Sequence, residues 1–146
     1  MRLRTLGLVG MLLLSTGALF AQQDRAGCKD ATLLKRVSGC YITFCAKSDD
    51  GDSDFTFSST TEPRTKNFKG KTEIVSYQCK GKSALQVRSY AEEAFRNARY
   101  TIDFTGYDMP EHFVTGHKGA QWLAVVATES GDDSDYRVVG VLTSTP

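Results

Sequence analysis

The sequence has little excess charge of either sign and only three prolines in 146 residues. Its 18 Lys and Arg residues are offset by 17 Asp and Glu residues, so the basic surface of a nucleic-acid-binding protein is missing. The few prolines and the 40% of hydrophobic residues exclude a collagenous, low-complexity or disordered chain. This length leaves room for one domain.

Long apolar runs are also scarce, and the clearest one lies at the start of the chain. Arg2 and Arg4 precede an apolar run over 6–20 that ends in small residues, an order typical of a secretory signal peptide. The run is short for a membrane span, which needs about 20 apolar residues, although an uncleaved anchor is the alternative. We predict a cleaved signal over 1–21 and a single exported domain over 22–146. Losing two arginines leaves it a formal charge of −1, with no stable membrane span after cleavage.

An even set of four cysteines follows the predicted signal: Cys28, Cys40, Cys45 and Cys79. No Cys-x-x-Cys pair is present, and an oxidising compartment favours two structural disulfides over zinc ligation or a reactive thiol. Cys40 and Cys45 are an odd number of residues apart in a predicted strand. Their side chains therefore point to opposite faces and cannot be joined.

Two disulfide pairings remain. We favour Cys28 with Cys40 and Cys45 with Cys79, because residues 30–37 can form one helical turn that returns Cys28 to Cys40. The alternative joins Cys28 to Cys45 and Cys40 to Cys79. Strand parity favours this second pairing, since Cys40 falls on an apolar face of its strand.

Hydrophobic periodicity predicts one helix among several strands. Apolar residues recur at three- and four-residue steps over 83–97, and Ser83 with Gln86 forms a capping box at the start. Strand patterns lie before and after this helix. They occupy 40–46, a segment at Phe57, 71–79, 100–105, 122–127 and 136–143.

The segments between these elements are polar and rich in Gly, Asp and Ser. We predict hairpin loops over 47–54 and 128–135, and longer loops over 61–71 and 106–119. The predicted order is βββαβββ, an α+β fold in which one helix packs on a mainly antiparallel sheet.

Few residues stand in a pattern that carries chemistry. Asp108, Glu111, His112 and His117 lie in the predicted loop 107–118, so a small hydrolase or metal-dependent enzyme centred there is the leading alternative function. No nucleophile or third ligand stands at a fixed spacing, and the sequence has no serine elbow or phosphate-binding glycine run. We therefore assign no catalytic residue, no metal ligand and no cofactor.

Aromatic residues supply a candidate binding face. If the long loop folds over the sheet, Tyr107, Phe113 and Trp122 line one surface, and loops over a sheet are where binding residues gather. A second alternative function is an exported inhibitor that presents residues 61–71 as a rigid loop.

Scattered positions of the chain resemble a known family. They are Gly27-Cys28-Lys29-Asp30, Leu33-Leu34-Lys35-Arg36, Gly39-Cys40-Tyr41-Ile42, Phe55 with Phe57, Ser76-Tyr77, and the helix positions Ser83, Leu85, Val87, Tyr90, Ala94 and Ala98. Together they are similar to the domain of unknown function that often precedes an OmpA-like peptidoglycan-binding domain in Gram-negative envelope proteins. The family has no known reaction, so the resemblance implies only a periplasmic or envelope location. No OmpA-like half is present in this sequence, so direct peptidoglycan anchoring is not implied. We expect a non-enzymatic binding or interaction module for an unidentified envelope component.

Overall fold

A computed structural model describes residues 22–57 and 64–143. Over these residues the chain forms one six-stranded antiparallel sheet, one helix and two disulfides. The elements are β1 (Cys40–Thr56), β2 (Thr65–Cys79), α1 (Ala84–Asn97), β3 (Thr101–Asp108), β4 (Glu111–Lys118), β5 (Gln121–Ser130) and β6 (Asp133–Thr143). The predicted signal over 1–21 lies outside the described residues. Within them, no helix has the length and apolar character needed to cross a membrane.

The strands lie in the order β1-β2-β6-β5-β4-β3, so β2 and β3 are far apart in the sheet. Helix α1 connects them and crosses one face, where it contacts β3, β4, β5 and β6. We call this side the helix face and the opposite side the hairpin face. Residues 22–39 cover more of the helix face and bury Ala31, Leu34 and Val37 against the core.

The predicted helix is confirmed, together with its capping box. The Ser83 hydroxyl accepts a hydrogen bond from the Gln86 amide, and the Gln86 side chain accepts one from the Ser83 amide. The buried stripe of α1 includes two alanines, which allow the helix to lie close to the sheet. Gly116 on β4 also allows this close approach, because a Cβ atom there would lie 3.0 Å from the Phe95 ring.

The long β1–β2 hairpin bends and folds over the hairpin face. The bend lies at the register partners Gly51 and Gly70, beside a register shift in β1. Gly70 has a φ of 150°, and a Cβ atom there would lie 2.1 Å from the Leu142 carbonyl oxygen, so only glycine fits. Beyond the bend, Phe55 and Phe68 are buried in a second core with Ala124, Val139 and Val141.

The predicted fold, one helix on a mainly antiparallel sheet with two disulfides, is confirmed. The predicted order βββαβββ matches only roughly, because two strands precede the helix and four follow it in the described residues. The predicted loop 47–54 lies inside β1, and the described end of the predicted loop 61–71 lies inside β2. The predicted loop 107–118 is mostly β4, reached by a turn at Met109 and Pro110. Polar residues persist in these strands because their backbones are paired while their side chains remain exposed, and strand formation depends strongly on such context.

The favoured disulfide pairing is also wrong. The bonds join Cys28 to Cys45 and Cys40 to Cys79. Cys40 and Cys79 are direct register partners in β1 and β2, with Cα atoms 4.2 Å apart. The prediction that Cys40 and Cys45 point to opposite faces is wrong, because a register shift between Ile42 and Phe44 places both on the helix face. Residues 30–37 form no helical turn and run along the helix face instead, which brings Cys28 to Cys45.

Two tyrosines of the sheet hold this N-terminal segment in place. The Ala31 amide donates a hydrogen bond to the Tyr77 hydroxyl at 2.9 Å, and the Val37 amide donates one to the Tyr136 hydroxyl at 3.0 Å. The two rings stack with centroids 4.6 Å apart. Buried backbone groups of an irregular segment thus find partners in the sheet, as a buried chain requires.

Candidate functional site

The residues of the predicted enzyme site do not converge. His112 and His117 are five residues apart on β4, so they point to opposite faces of the sheet. His112 lies on the helix face, with Nε2 4.0 Å from Glu129 Oε1. His117 lies on the hairpin face, with Nδ1 2.6 Å from Asp103 Oδ2.

The two acids of that predicted site lie on the same face of the sheet as His117, opposite to His112. Glu111 directly precedes His112 on β4, so its side chain points to the hairpin face, and its register partner Asp108 does the same. The strand therefore separates each candidate acid from the buried histidine. The four residues share a hairpin of the sheet and not a pocket.

The predicted binding face is divided in the same way. Tyr107 pairs with His112 and lies on the helix face, where the two ring centroids are 5.0 Å apart. Phe113 lies on the hairpin face and is buried. Trp122 shares that face but is half-buried against Phe68. These three aromatic residues do not form one surface.

The structure instead forms a cleft where β1 and β2 bend, which we call the bend cleft. It consists of two adjoining cavities of about 380 and 460 Å³ that share Asp49, Lys71 and Leu142. Leu33 and Leu142 give the first cavity an apolar surface, and Leu142 is 44% exposed. The remaining lining residues are mainly polar: Thr32, Lys47, Ser48, Asp50, Lys69, Gly70, Thr72, Glu73, Ala120, Gln121, Gly140 and Thr143.

Glu73 is the best-anchored charged group of the bend cleft, with a side chain only 14% exposed. Its carboxylate accepts hydrogen bonds from the Thr32 amide at 2.8 Å and the Thr32 hydroxyl at 2.9 Å, and Lys47 Nζ lies 2.7 Å away. Burial on its own raises the pKa of Glu73, but these donors outweigh it and hold the pKa below its usual value. Glu73 and Lys47 therefore neutralise each other within the wall.

The outer rim of the bend cleft carries charges of both signs that remain exposed. Lys71 Nζ lies 3.8 Å from Asp49 Oδ1, and both side chains are largely in solvent. Lys69 and Asp50 are exposed beside them. Such exposed pairs exchange readily with water, so they remain available to an incoming polar group.

Small residues explain why the chain forms this cleft. The bend at Gly51 and Gly70 turns β1 and β2 away from the helix face. At Gly140 of β6, an added Cβ atom would lie 3.1 Å from the Leu33 side chain, so a larger residue would force Leu33 to move. Reasoning from local periodicity missed the site, because its residues meet only through strand register. The sequence signal for the bend was one glycine in each of two polar segments, Gly51 in 47–54 and Gly70 in 61–71.

No group of three or more His, Cys, Asp or Glu residues is arranged to hold a metal ion in 22–57 and 64–143. A scan of protein-family models and a search of curated proteins find no match to this chain.

Proposed function

We propose that this protein is an exported, non-enzymatic binding module of the cell envelope that holds its partner in the bend cleft. Export is supported by the signal-like residues 1–21 and by the two disulfides, because such bonds persist mainly in oxidising compartments. The envelope location is supported by the resemblance to the domain found beside OmpA-like domains.

The observation that carries the binding proposal is Leu142, an exposed leucine inside a concave site. Ligand sites are typically concave and apolar, with a few polar groups that fix orientation. Leu142 and Leu33 supply the apolar surface, and Lys71 and Asp49 supply charges of both signs. A partner that inserts an apolar side chain and pairs its own polar groups with this rim fits the cleft.

The alternative functions have weaker support. A hydrolase or metal enzyme needs Asp108, Glu111, His112 and His117 together, and the sheet keeps them on two faces. An inhibitor that presents 61–71 as a rigid loop loses most of that segment to β2, while residues 61–63 lie outside the described part of the chain.

The binding test uses two leucines of nearly equal exposure as a matched pair. Leu142 in the cleft is 44% exposed, and Leu85 on α1 is 47% exposed. We expect Leu142→Glu to lower capture of envelope components by the immobilised domain at least tenfold. A tenfold loss corresponds to about 1.4 kcal/mol of binding free energy. Leu85→Glu should leave capture unchanged. Equal capture by both variants and the wild type would rule out the bend cleft as the site.

Export is tested separately, by expressing the full chain in a Gram-negative host and measuring its mass with and without reductant. We expect a periplasmic protein that has lost about 21 residues, with two disulfides. A full-length cytosolic protein with four free thiols contradicts export, whatever the capture experiment gives.

A further inference from the structure

His112 is a buried titratable group that the proposed binding site does not use. Its side chain is 10% exposed, and no described residue forms a hydrogen bond to its Nδ1 atom. Its Nε2 atom lies 4.0 Å from Glu129 Oε1, too far for a hydrogen bond. A buried imidazole nitrogen without a hydrogen-bond partner, such as this Nδ1, is unusual, because buried polar groups generally find partners.

Each element that packs against this imidazole carries a charged or titratable group. Arg88 of α1 acts on it electrostatically, and the buried Nε of Arg88 also has no hydrogen-bond partner among the described residues. Glu92 lies one helical turn from Arg88, with Oε1 3.4 Å from that Nε. Tyr107 of β3 packs its ring against the imidazole, and on β6 Tyr136 lies in the same cross-sheet row beyond Ala127.

Glu129 of β5 connects His112 to the start of the helix. Its Oε1 atom, the one nearest to His112, accepts a hydrogen bond from the Ala84 amide at 3.0 Å. Ala84 is the first residue of α1, where backbone amides have no partner within the helix. One carboxylate oxygen therefore both accepts a hydrogen bond from the first amide of α1 and faces the imidazole.

We propose that the contact of the first turns of α1 with β3, β4 and β5 is an acid-sensitive latch, which is closed while the His112 imidazole is neutral and loosens when that imidazole takes up a proton. The protonated ring attracts Glu129 Oε1 away from the Ala84 amide. It also places a second positive charge beside Arg88. Both effects weaken the docking of α1 at its N-terminal end.

The direction of the pH dependence follows from the surroundings of the ring. Burial, aided by the positive charge of Arg88, lowers the pKa of His112 below its usual value, and Glu129 opposes the shift only in part. The unfolded chain thus takes up the proton before the folded chain does. The latch is fully stable above the usual histidine pKa of about 6.5 and loses stability as the pH falls below it.

The chain has only two histidines, so His117 supplies the matched control. Urea unfolding at pH 7.5 and 5.0 is measured for the wild type, His112→Gln and His117→Gln. We expect the unfolding midpoint of the wild type and of His117→Gln to fall at pH 5.0, and the midpoint of His112→Gln to fall less. An equal fall in His112→Gln and the wild type overturns the latch.

An NMR titration of the wild type keeps the proposal falsifiable if His112→Gln does not fold. The Ala84 and Leu85 amide signals should shift with the protonation of His112, at a lower pH than for a free histidine. Arg88→Gln should move that titration to higher pH, and Glu129→Gln should move it to lower pH. If the Ala84 and Leu85 amide signals do not change as His112 titrates, the latch is refuted.

Discussion

Phe68 and Trp122 stack with their ring centroids 4.1 Å apart and their planes 26° from parallel, although one lies on the folded-over hairpin and the other on β5. Phe57 meets the same indole edge-on at 5.8 Å, and Lys66 Nζ lies over both stacked rings. This aromatic cluster fastens the distal part of the hairpin to the hairpin face. It therefore also holds the bend that forms the cleft.

Phe68→Ala is expected to lower the free energy of unfolding by about 3–4 kcal/mol, the usual cost of removing a buried aromatic ring. Urea unfolding followed by Trp122 fluorescence measures it, since Trp122 is the chain's single tryptophan. Phe44→Ala is the control, because Phe44 is 43% exposed and should cost less than about 1 kcal/mol. Equal losses would contradict a role for the stacked pair in fastening the hairpin.

Gly70→Ala is expected to destabilise the domain by more than about 2 kcal/mol, because the new methyl group would collide with the Leu142 backbone. Gly131→Ala provides the comparison. Gly131 also has a positive φ, at 64°, but nothing lies within 4 Å of an added Cβ atom. Its cost should be only the backbone strain of about 1–2 kcal/mol. If thermal unfolding shows the two variants to be equally stable, close approach to Leu142 is not what requires glycine.

Loss of the Cys40–Cys79 bond, in a double Ser variant, is expected to cost about 4 kcal/mol, against about 3 kcal/mol for Cys28–Cys45. The first bond closes the longer loop, with sequence separations of 39 and 17 residues. Chemical denaturation of the two double variants gives the comparison. A larger loss for the Cys28–Cys45 variant would mean that pinning the N-terminal segment matters more than loop length.

Glu73→Gln is expected to lower stability at neutral pH by about 1–2 kcal/mol, because the amide cannot reproduce the charged pair with Lys47. The lowered pKa of Glu73 means that its contribution is present above the usual carboxyl value and is lost as the pH falls through the folded-state value. The stability curves of wild type and variant should therefore converge in acid. Glu93→Gln, at an exposed position on α1, should change stability little at either pH.

Several local features of the structure could be predicted from sequence, and α1 is the clearest of them. Its three- and four-residue repeat and the pairing of Ser83 with Gln86 are contained within one segment, so no distant contact was needed to infer them. The strand character of β5 and β6 was predictable for the same reason. The absence of a bond between Cys40 and Cys45 was predicted correctly but for the wrong reason, because the register shift between Ile42 and Phe44 places both cysteines on the same face of β1.

The errors arose where a distant partner decides the outcome. Residues 47–54 carry a loop-like composition, yet they lie in β1 because β2 pairs with most of their length. A local helical turn over 30–37 predicts a bond between Cys28 and Cys40. In the structure, these residues run along the helix face instead, where Ala31 and Val37 hydrogen-bond to Tyr77 and Tyr136. The candidate residues of 107–118 are close in sequence, which suggests one site. In a strand, however, neighbouring side chains point to opposite faces, so the structure divides these residues between the two faces of the sheet.

By itself, the sequence determined one capped helix, most of the strands, an even set of cysteines suited to disulfides, and a chain without the charge of a nucleic-acid binder. These follow from short-range periodicity and composition. Only the tertiary structure decided which cysteines bond, that the hairpin folds over the sheet, and that Leu33 and Leu142 meet in a cleft. Strand register and the crossing of α1 bring distant residues together, and local periodicity carries no information about that pairing.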